Sequence, residues 1–232
     1  MQYQNRYTIP FIALSILLLV CFFVNISLGS ISIPNEAIFQ SIFGTLENTS
    51  WQYIIMDYRL PKAFTAIIVG SGLGISGLMV QTLFRNPLAG PFVLGITSGA
   101  SLGVALVTMG ASLFGGIFLG VLASKWSIVI AATLGSFLVL LTVLIVSTKV
   151  RDAMTILIIG LMFGSISSAV VNVLSYFSSA EELQQYIFWG FGSLGNLSWN
   201  ELLILFLVYF IGLLLRFAPI KSFISLLLGE YY

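Results

Sequence analysis

The amino-acid sequence predicts an all-α polytopic membrane protein with about six transmembrane helices. Of its 232 residues, 59% are hydrophobic and only 7% are charged, whereas soluble domains usually carry about a quarter charged residues. The mean hydropathy is +1.08, and a chain of this length cannot build a core large enough to hide so much apolar surface from water. Lipid is therefore the expected solvent.

Charge-free windows of spanning length predict the positions of these helices. They lie at residues 9–26, 63–84, 92–110, 127–146, 154–178 and 202–215. The first window contains Pro10, which a first helical turn tolerates because that N–H has no helical partner. It also contains Cys21, the single cysteine of the chain, so an intrachain disulfide is excluded.

The two longest connections between windows, 27–62 and 179–200, are long enough for structure of their own. In the first, apolar side chains after Pro34 recur at helical spacing and predict a short helix against the membrane surface. They are Ile38, Phe39, Ile42 and Phe43. The second connection is rich in aromatic residues, which favours a belt at the lipid–water boundary. They are Tyr186, Trp189, Phe191 and Trp199.

The basic residues favour a cytoplasmic N-terminus, because the positive-inside rule then has six on the cytoplasmic side and three outside. The cytoplasmic set is Arg6, Arg85, Lys149, Arg151, Arg216 and Lys221, and the outer set is Arg59, Lys62 and Lys125. These nine residues form no run, so the sequence indicates no nucleic-acid partner.

The composition argues against catalysis and against ion coupling. The chain has no histidine, the commonest general base and a common metal ligand, so we expect no metal site, no cofactor and no enzymatic activity. No ionisable residue lies inside the windows except near their ends, which disfavours an ion-coupled secondary transporter. A phosphate-binding G-x-x-x-x-G-K-[ST] loop is absent from the sequence, so ATP hydrolysis would need a separate chain.

Glycines at helical spacing predict close helix packing in two windows. They are Gly70, Gly74 and Gly77 in the second window, and Gly95, Gly99 and Gly103 in the third. Residues 72–77 also match G-x-G-x-x-G, but no strand precedes them, so they do not indicate a dinucleotide site. In the fifth window one stripe either packs against a neighbouring helix or lines a passage. It consists of Gly160, Gly164, Ser168 and Asn172.

The connection between the second and third windows contains two prolines, Pro87 and Pro91, four residues apart. They exclude a continuous helix and predict a rigid cytoplasmic turn.

Together these motifs resemble the permease subunits of ABC importers for iron siderophores, haem and cobalamin. The resemblance extends from about residue 30 onward. It rests on Arg59-Leu60-Pro61-Lys62, on residues 70–81, on Arg85-Asn86-Pro87-Leu88-Ala89 with Pro91, on residues 94–100, and on the block 181–199.

The resemblance implies a type II ABC importer permease of ten helices in two inverted repeats. Residues 1–232 would then form a partial transmembrane domain, with the first repeat plus one helix. The resemblance further implies three sites. Arg59 and Lys62 would dock the extracytoplasmic substrate-binding protein, Asn86, Pro87 and Leu88 would belong to a cytoplasmic gate, and the Gly160–Asn172 stripe would line the translocation path at the interface with a second permease subunit.

The same resemblance implies a function, a location and partners. The expected function is import of iron chelates (siderophore or haem) or cobalamin across the bacterial cytoplasmic (inner) membrane by alternating access. The expected partners are a second permease subunit, in a homodimer or heterodimer, cytoplasmic ATP-binding subunits and the substrate-binding protein. Because the family's ATPase-coupling helices would follow residue 232, a non-functional fragment lacking that region is the remaining alternative.

Overall fold

The structure is a computed structural model that describes residues 5–44, 49–110, 124–150 and 152–217. Most of these residues are helical and none forms a strand, so the all-α prediction is confirmed. Arg151 and Lys221, which the sequence assigns to the cytoplasmic side, lie outside the described residues.

The described helices follow one another with short connections. They are α1 (Asn5–Ser27), α2 (Asn35–Ile42), α3 (Thr49–Tyr53), a π-helix (Ile54–Arg59), α4 (Leu60–Phe84), a 3-10 helix (Pro91–Leu94), α5 (Ile96–Thr108), α6 (Lys125–Ser147), α7 (Ala153–Phe177), α8 (Ala180–Phe191) and α9 (Trp199–Phe217). Among them, five segments are long and apolar enough to cross a membrane, and these lie in α1, the run from α3 to α4, α6, α7 and α9.

The third predicted span is wrong as one continuous helix over 92–110. Gly95 adopts a left-handed backbone with φ of 76°, a conformation that favours glycine, and it separates the 3-10 helix from α5. The 13 residues of α5 extend about 20 Å, which is less than a bilayer core of about 30 Å.

The second predicted span, 63–84, begins too late. The helical run starts at Thr49 and continues through the π-helix into α4, so Arg59 and Lys62 lie within it and not in the connection before it. Pro61 does not end the run, because it is the second residue of α4, where a missing N–H is tolerated more easily than in a helix interior.

The described residues form two compact units, one up to Gly72 and from Ser193 onward, the other from Leu73 to Gly192. The core of the first unit joins α1, α2 and the π-helix. It contains Ile26, Ile33, Ala37, Ile38, Ile55, Leu60 and Ala63. The short helix predicted after Pro34 is confirmed as α2, but of its predicted apolar face only Ile38 is buried, while Phe39, Ile42 and Phe43 are exposed.

In the second unit α5 packs against α6, α7 and α8. One apolar cluster joins α5 to α7 through Ala105, Met109, Val171 and Leu174, with Leu183 and Tyr186 of α8 packed against it. The aromatic content of this part of the chain did not predict α8. A capping box starts that helix, with the Ser179 hydroxyl and the Glu182 carboxylate each accepting a hydrogen bond from the other residue's backbone N–H.

Candidate functional site

Helices α5 and α6 meet backbone to backbone through glycines. A Cβ atom built at Gly99 would overlap the carbonyl oxygen of Gly135, and one built at Gly103 would overlap that of Ala131. A Cβ built at Gly135 would in turn overlap the carbonyl oxygen of Gly99. Only glycine fits these positions, so this face of α5 is used for helix packing.

The first half of the stripe on α7 also packs closely. A Cβ at Gly160 would overlap the carbonyl oxygen of Val93 in the 3-10 helix, and one at Gly164 would lie 3.2 Å from the Ser98 hydroxyl oxygen. The carbonyl oxygen of Gly160 lies 2.9 Å from a Cβ built at Gly95. Gly160 therefore belongs to a packing contact and does not line an open passage within the chain.

The second half of the stripe lines a polar cavity of about 500 Å³ between α5, α7 and α8. Its lining consists of Thr97, Ser98, Ser101, Ser167, Ser168, Val171, Asn172, Ser175 and Tyr186. Ser168 and Asn172 are exposed along its wall. The lining thus has hydroxyl groups, one amide and one apolar side chain, but no side chain charged at neutral pH.

Helix α8 closes one side of this cavity. The hydroxyls of Ser101 and Tyr186 share a hydrogen bond of 2.6 Å, and the Tyr186 ring stacks near Trp189 with centroids 6.4 Å apart. Tyr186 therefore faces the cavity, and the lipid-boundary position predicted for it is wrong. The spacing of Ser168, Asn172 and Ser175 along α7 could have indicated a longer polar face.

The turn after α4 ends the helix in a Schellman motif. The backbone N–H of Asn86 donates to Gln81 and that of Arg85 to Thr82, at 3.1 and 3.3 Å. Arg85 has a φ of 47°, a left-handed conformation that is unfavourable for a residue with a side chain.

The predicted gate residues follow directly. The Asn86 side-chain oxygen accepts from the backbone N–H of Leu88 at 2.9 Å, and the Asn86 carbonyl accepts from Ala89 at 3.1 Å. Pro87 is exposed, and Leu88 is 85% exposed. The turn thus holds an apolar side chain outward on a backbone fixed by local hydrogen bonds.

Gly70, Gly74 and Gly77 do not form a packing face within the described chain. A Cβ at any of them would meet no described atom within 4 Å. Gly70 instead lines an apolar groove of about 360 Å³ between α1 and α4. The predicted packing role of these three glycines is therefore corrected, because no described helix approaches their side of α4.

The two basic residues predicted to dock a partner lie in different environments. Lys62 is exposed. Arg59 is only 7% exposed, and its guanidinium donates hydrogen bonds to the carbonyl oxygens of Ile26, Ser27 and Ile31 at 2.8, 3.0 and 2.5 Å. Sequence reasoning missed these contacts because main-chain acceptors leave no side-chain pattern.

Asp152 caps the N-terminus of α7, the helix that carries the stripe. Its carboxylate accepts hydrogen bonds from the hydroxyl and the backbone N–H of Thr155 at 2.9 and 3.0 Å. These bonds hold the pKa of the Asp152 carboxyl below its usual value. Among the described residues, no three His, Cys, Asp or Glu side chains converge in a way that could hold a metal ion.

The spanning helices and the polar cavity define a polytopic membrane protein with a hydrophilic face inside its apolar helices. Comparison with known proteins is more specific. The model of the FecCD transport family matches residues 17–232, and the chain belongs to this family.

Three relatives have curated names. The hemin transport system permease protein of Yersinia pestis is 32% identical over 192 residues, which are 82% of this chain and 55% of the relative. The molybdate import system permease protein of Haemophilus influenzae is 32% identical over 202 residues, 84% of this chain and 57% of the relative. The vitamin B12 import system permease protein of Klebsiella pneumoniae is 30% identical over 190 residues, 82% and 52%. The chain thus spans about half the length of these relatives.

A solved structure is also similar. It is described as an inward-facing conformation of a provisionally assigned metal-chelate type ABC transporter. The similarity has a TM-score of 0.74 at 27% sequence identity and covers 93% of this chain and 63% of that one. The fold of this chain is therefore that of an ABC transporter permease.

Proposed function

We propose that this chain is the transmembrane permease subunit of an ATP-driven importer that passes iron chelates, either siderophore or haem complexes, or cobalamin across the bacterial cytoplasmic membrane. Family membership supports the transport role. The observation that supports the substrate class is the cavity beside α7, which is polar but has no charged side chain in its lining.

The chemistry of the lining suits a bulky, neutral or internally neutralised chelate. Hydroxyls and an amide both donate and accept hydrogen bonds, so they bind many polar surfaces weakly, as a passage that must release its substrate requires. An oxyanion such as molybdate would bind better to cationic or backbone N–H donors. Ser168 and Asn172, on the open wall of the cavity, are the residues proposed to face the substrate.

The energy source and the remaining partners belong to the same proposal. Ion coupling would favour ionisable groups on the path, and the cavity lining contains none charged at neutral pH, which favours ATP-binding subunits on the cytoplasmic side. With the N-terminus in the cytoplasm, the Asn86–Leu88 turn faces those subunits and acts in the gate. A second permease subunit completes the path, and the substrate-binding protein docks near Lys62.

Uptake measurements test the substrate class. Cells lacking this chain, and the same cells with the chain restored, would be given a radiolabelled ferric siderophore, haemin, cobalamin or molybdate. We expect deletion to abolish the uptake of one chelate class and restoration of the chain to recover it. Unchanged uptake of all three chelates, or loss of molybdate uptake alone, would contradict the proposal.

Affinity purification of the tagged chain from cross-linked cells tests the partners. We expect to identify an ATP-binding cassette subunit and a substrate-binding protein by mass spectrometry. Lys62→Glu should reduce recovery of the binding protein and leave the ATP-binding subunit unchanged, because charge reversal at a rim acts on association. Lys125→Glu, at another exposed lysine assigned to the outer side, is the matched control. If no ATP-binding subunit is recovered, the fragment alternative is favoured.

A further inference from the structure

The π-helix at Ile54–Arg59 leaves one main-chain acceptor without its usual donor. The backbone N–H of Leu60 bonds to the carbonyl of Ile55, five residues earlier. In this register the Met56 carbonyl would accept from residue 61, but Pro61 has no N–H. The sequence therefore deprives Met56 of a main-chain partner at a place where π-helices often mark function.

Trp199, the first residue of α9, supplies the missing donor. Its indole Nε1 donates to the Met56 carbonyl oxygen at 2.9 Å, and its ring lies near Phe64 with centroids 6.2 Å apart. An unpaired carbonyl in an apolar helix is unfavourable. The indole thus stands in for the backbone N–H that Pro61 lacks.

Arg59, the last residue of the π-helix, bonds in the other direction. Ile26 and Ser27 are the last two residues of α1, whose terminal carbonyls have no helical donors and form the negative end of the helix dipole. The Arg59 guanidinium binds both, together with Ile31 beyond them. Gly29 makes room for it, since a Cβ there would lie 2.7 Å from a guanidinium nitrogen.

We propose that Arg59 and Trp199 are positioning residues, which fasten the π-helix to α1 and to α9 and thereby orient the following turn with Lys62. Arg59 is then not a contact for the substrate-binding protein, because its donors are already bonded inside the chain. The docking charge at this end of the helix is that of Lys62. The docking part rests on the proposed function, whereas the fastening part does not.

The first experiment compares charge-retaining and charge-removing variants of the full chain, purified in detergent. Lysine keeps the charge of arginine but not its planar fork, so Arg59→Lys and Arg59→Gln should both lower Tm by about 4 °C or more. Lys62→Gln, the matched control, should leave Tm unchanged. In Cys21→Ser backgrounds, a cysteine replacing the buried Ile33 should react about tenfold faster with a thiol reagent once Arg59 is replaced.

Recovery of the binding protein separates the two roles of Arg59. A positioning role predicts that Arg59→Lys and Arg59→Gln both lose recovery and Tm together. The proposal is overturned if both variants keep the wild-type Tm while recovery is lost only in Arg59→Gln, because the charge itself would then be the docking group. Unchanged recovery in Lys62→Gln would reject docking at Lys62, and the Tm and thiol results would still decide the fastening role.

The second experiment restores the missing donor. Pro61→Ala supplies a backbone N–H for the Met56 carbonyl, so the indole N–H becomes redundant. We expect Trp199→Phe to lower Tm in the wild-type chain, and to lower it by less than half as much in the Pro61→Ala background. An equal loss in both backgrounds would show that Trp199 contributes only ring packing and would refute the substitution. Because this test uses differences between variants, the loss of the Pro61 ring does not affect it.

Discussion

Helices α4 and α5 have similar glycine patterns and use them differently. In α5, Gly99 and Gly103 touch the backbone of α6 so closely that no side chain fits. In α4, Gly74 and Gly77 have the same type of spacing, but a Cβ added to either would meet no described atom within 4 Å. A small-residue pattern therefore shows that close approach is allowed and does not show that it occurs.

The difference lies in the partner helix. Helix α6 presents Gly135 and Ala131 opposite the glycines of α5, so both backbones are bare at the crossing. The Ser136 hydroxyl adds a hydrogen bond of 3.1 Å to the carbonyl of Ile96. Small residues on both helices together with a polar link are the features that the sequence pattern of one helix alone does not contain.

The largest effect is expected from leucine substitutions on the two helices. Gly99→Leu should lower the free energy of unfolding by about 3 kcal/mol or more, at the upper end of the overpacking range, because the side chain would separate α5 from α6. Gly74→Leu should change it by less than about 0.5 kcal/mol. Thermal unfolding of the purified variants measures both. Equal losses would mean that Gly74 also has a packing partner, and equal tolerance would refute the α5–α6 contact.

A smaller effect is expected at the C-terminal end of α4. This helix has glycines where nothing touches them and an arginine, Arg85, where the backbone is left-handed. Arg85→Gly should be more stable than Arg85→Ala by about 1 kcal/mol. Both variants remove the arginine side chain, so their comparison isolates the backbone term. If alanine equals glycine here, the turn does not hold this residue in a left-handed conformation.

The smallest effect is expected to depend on pH, unlike the glycine contacts, which carry no charge. The folded-state pKa of Asp152 is lowered from 3.8 by its bonds with Thr155, so the cap stabilises the protein fully above the unfolded pKa and loses this contribution as the pH falls through the folded pKa. Asp152→Ala should therefore lower Tm near pH 7 and have little effect below about pH 3. A Tm difference of constant size across this range would contradict the capping role of the carboxylate.

The sequence was most informative where a single chemical requirement decides the structure. Long apolar windows predicted the helices at α1, α6, α7 and α9 to within a few residues, because a lipid-exposed backbone must satisfy its own hydrogen bonds. The break near Gly95 was missed, since a glycine in an apolar window allows both a helix and a left-handed turn. The sequence Ser179-Ala180-Glu181-Glu182 contains the capping-box signature and could have predicted α8.

The candidate sites were predicted less completely, for a physical reason. The stripe on α7 was identified by its spacing, but which half packs and which half lines a cavity depends on the chain opposite, Val93 in one case and Tyr186 in the other. Arg59 was assigned to the surface because an arginine is usually solvated. Its acceptors are carbonyls about 30 residues away, and no sequence pattern predicts such contacts.

Uptake by cells with a phenylalanine at one of two neighbouring positions on α7 tests whether the cavity is the transport path. Asn172→Phe places a large ring in the cavity, whereas Val173→Phe, at an exposed position outside its lining, serves as the control. At equal abundance in the membrane, Asn172→Phe should reduce the initial rate of chelate uptake at least about tenfold, and Val173→Phe should leave it within about twofold. Normal uptake by Asn172→Phe, or equal losses in the two variants, would contradict a path along this cavity.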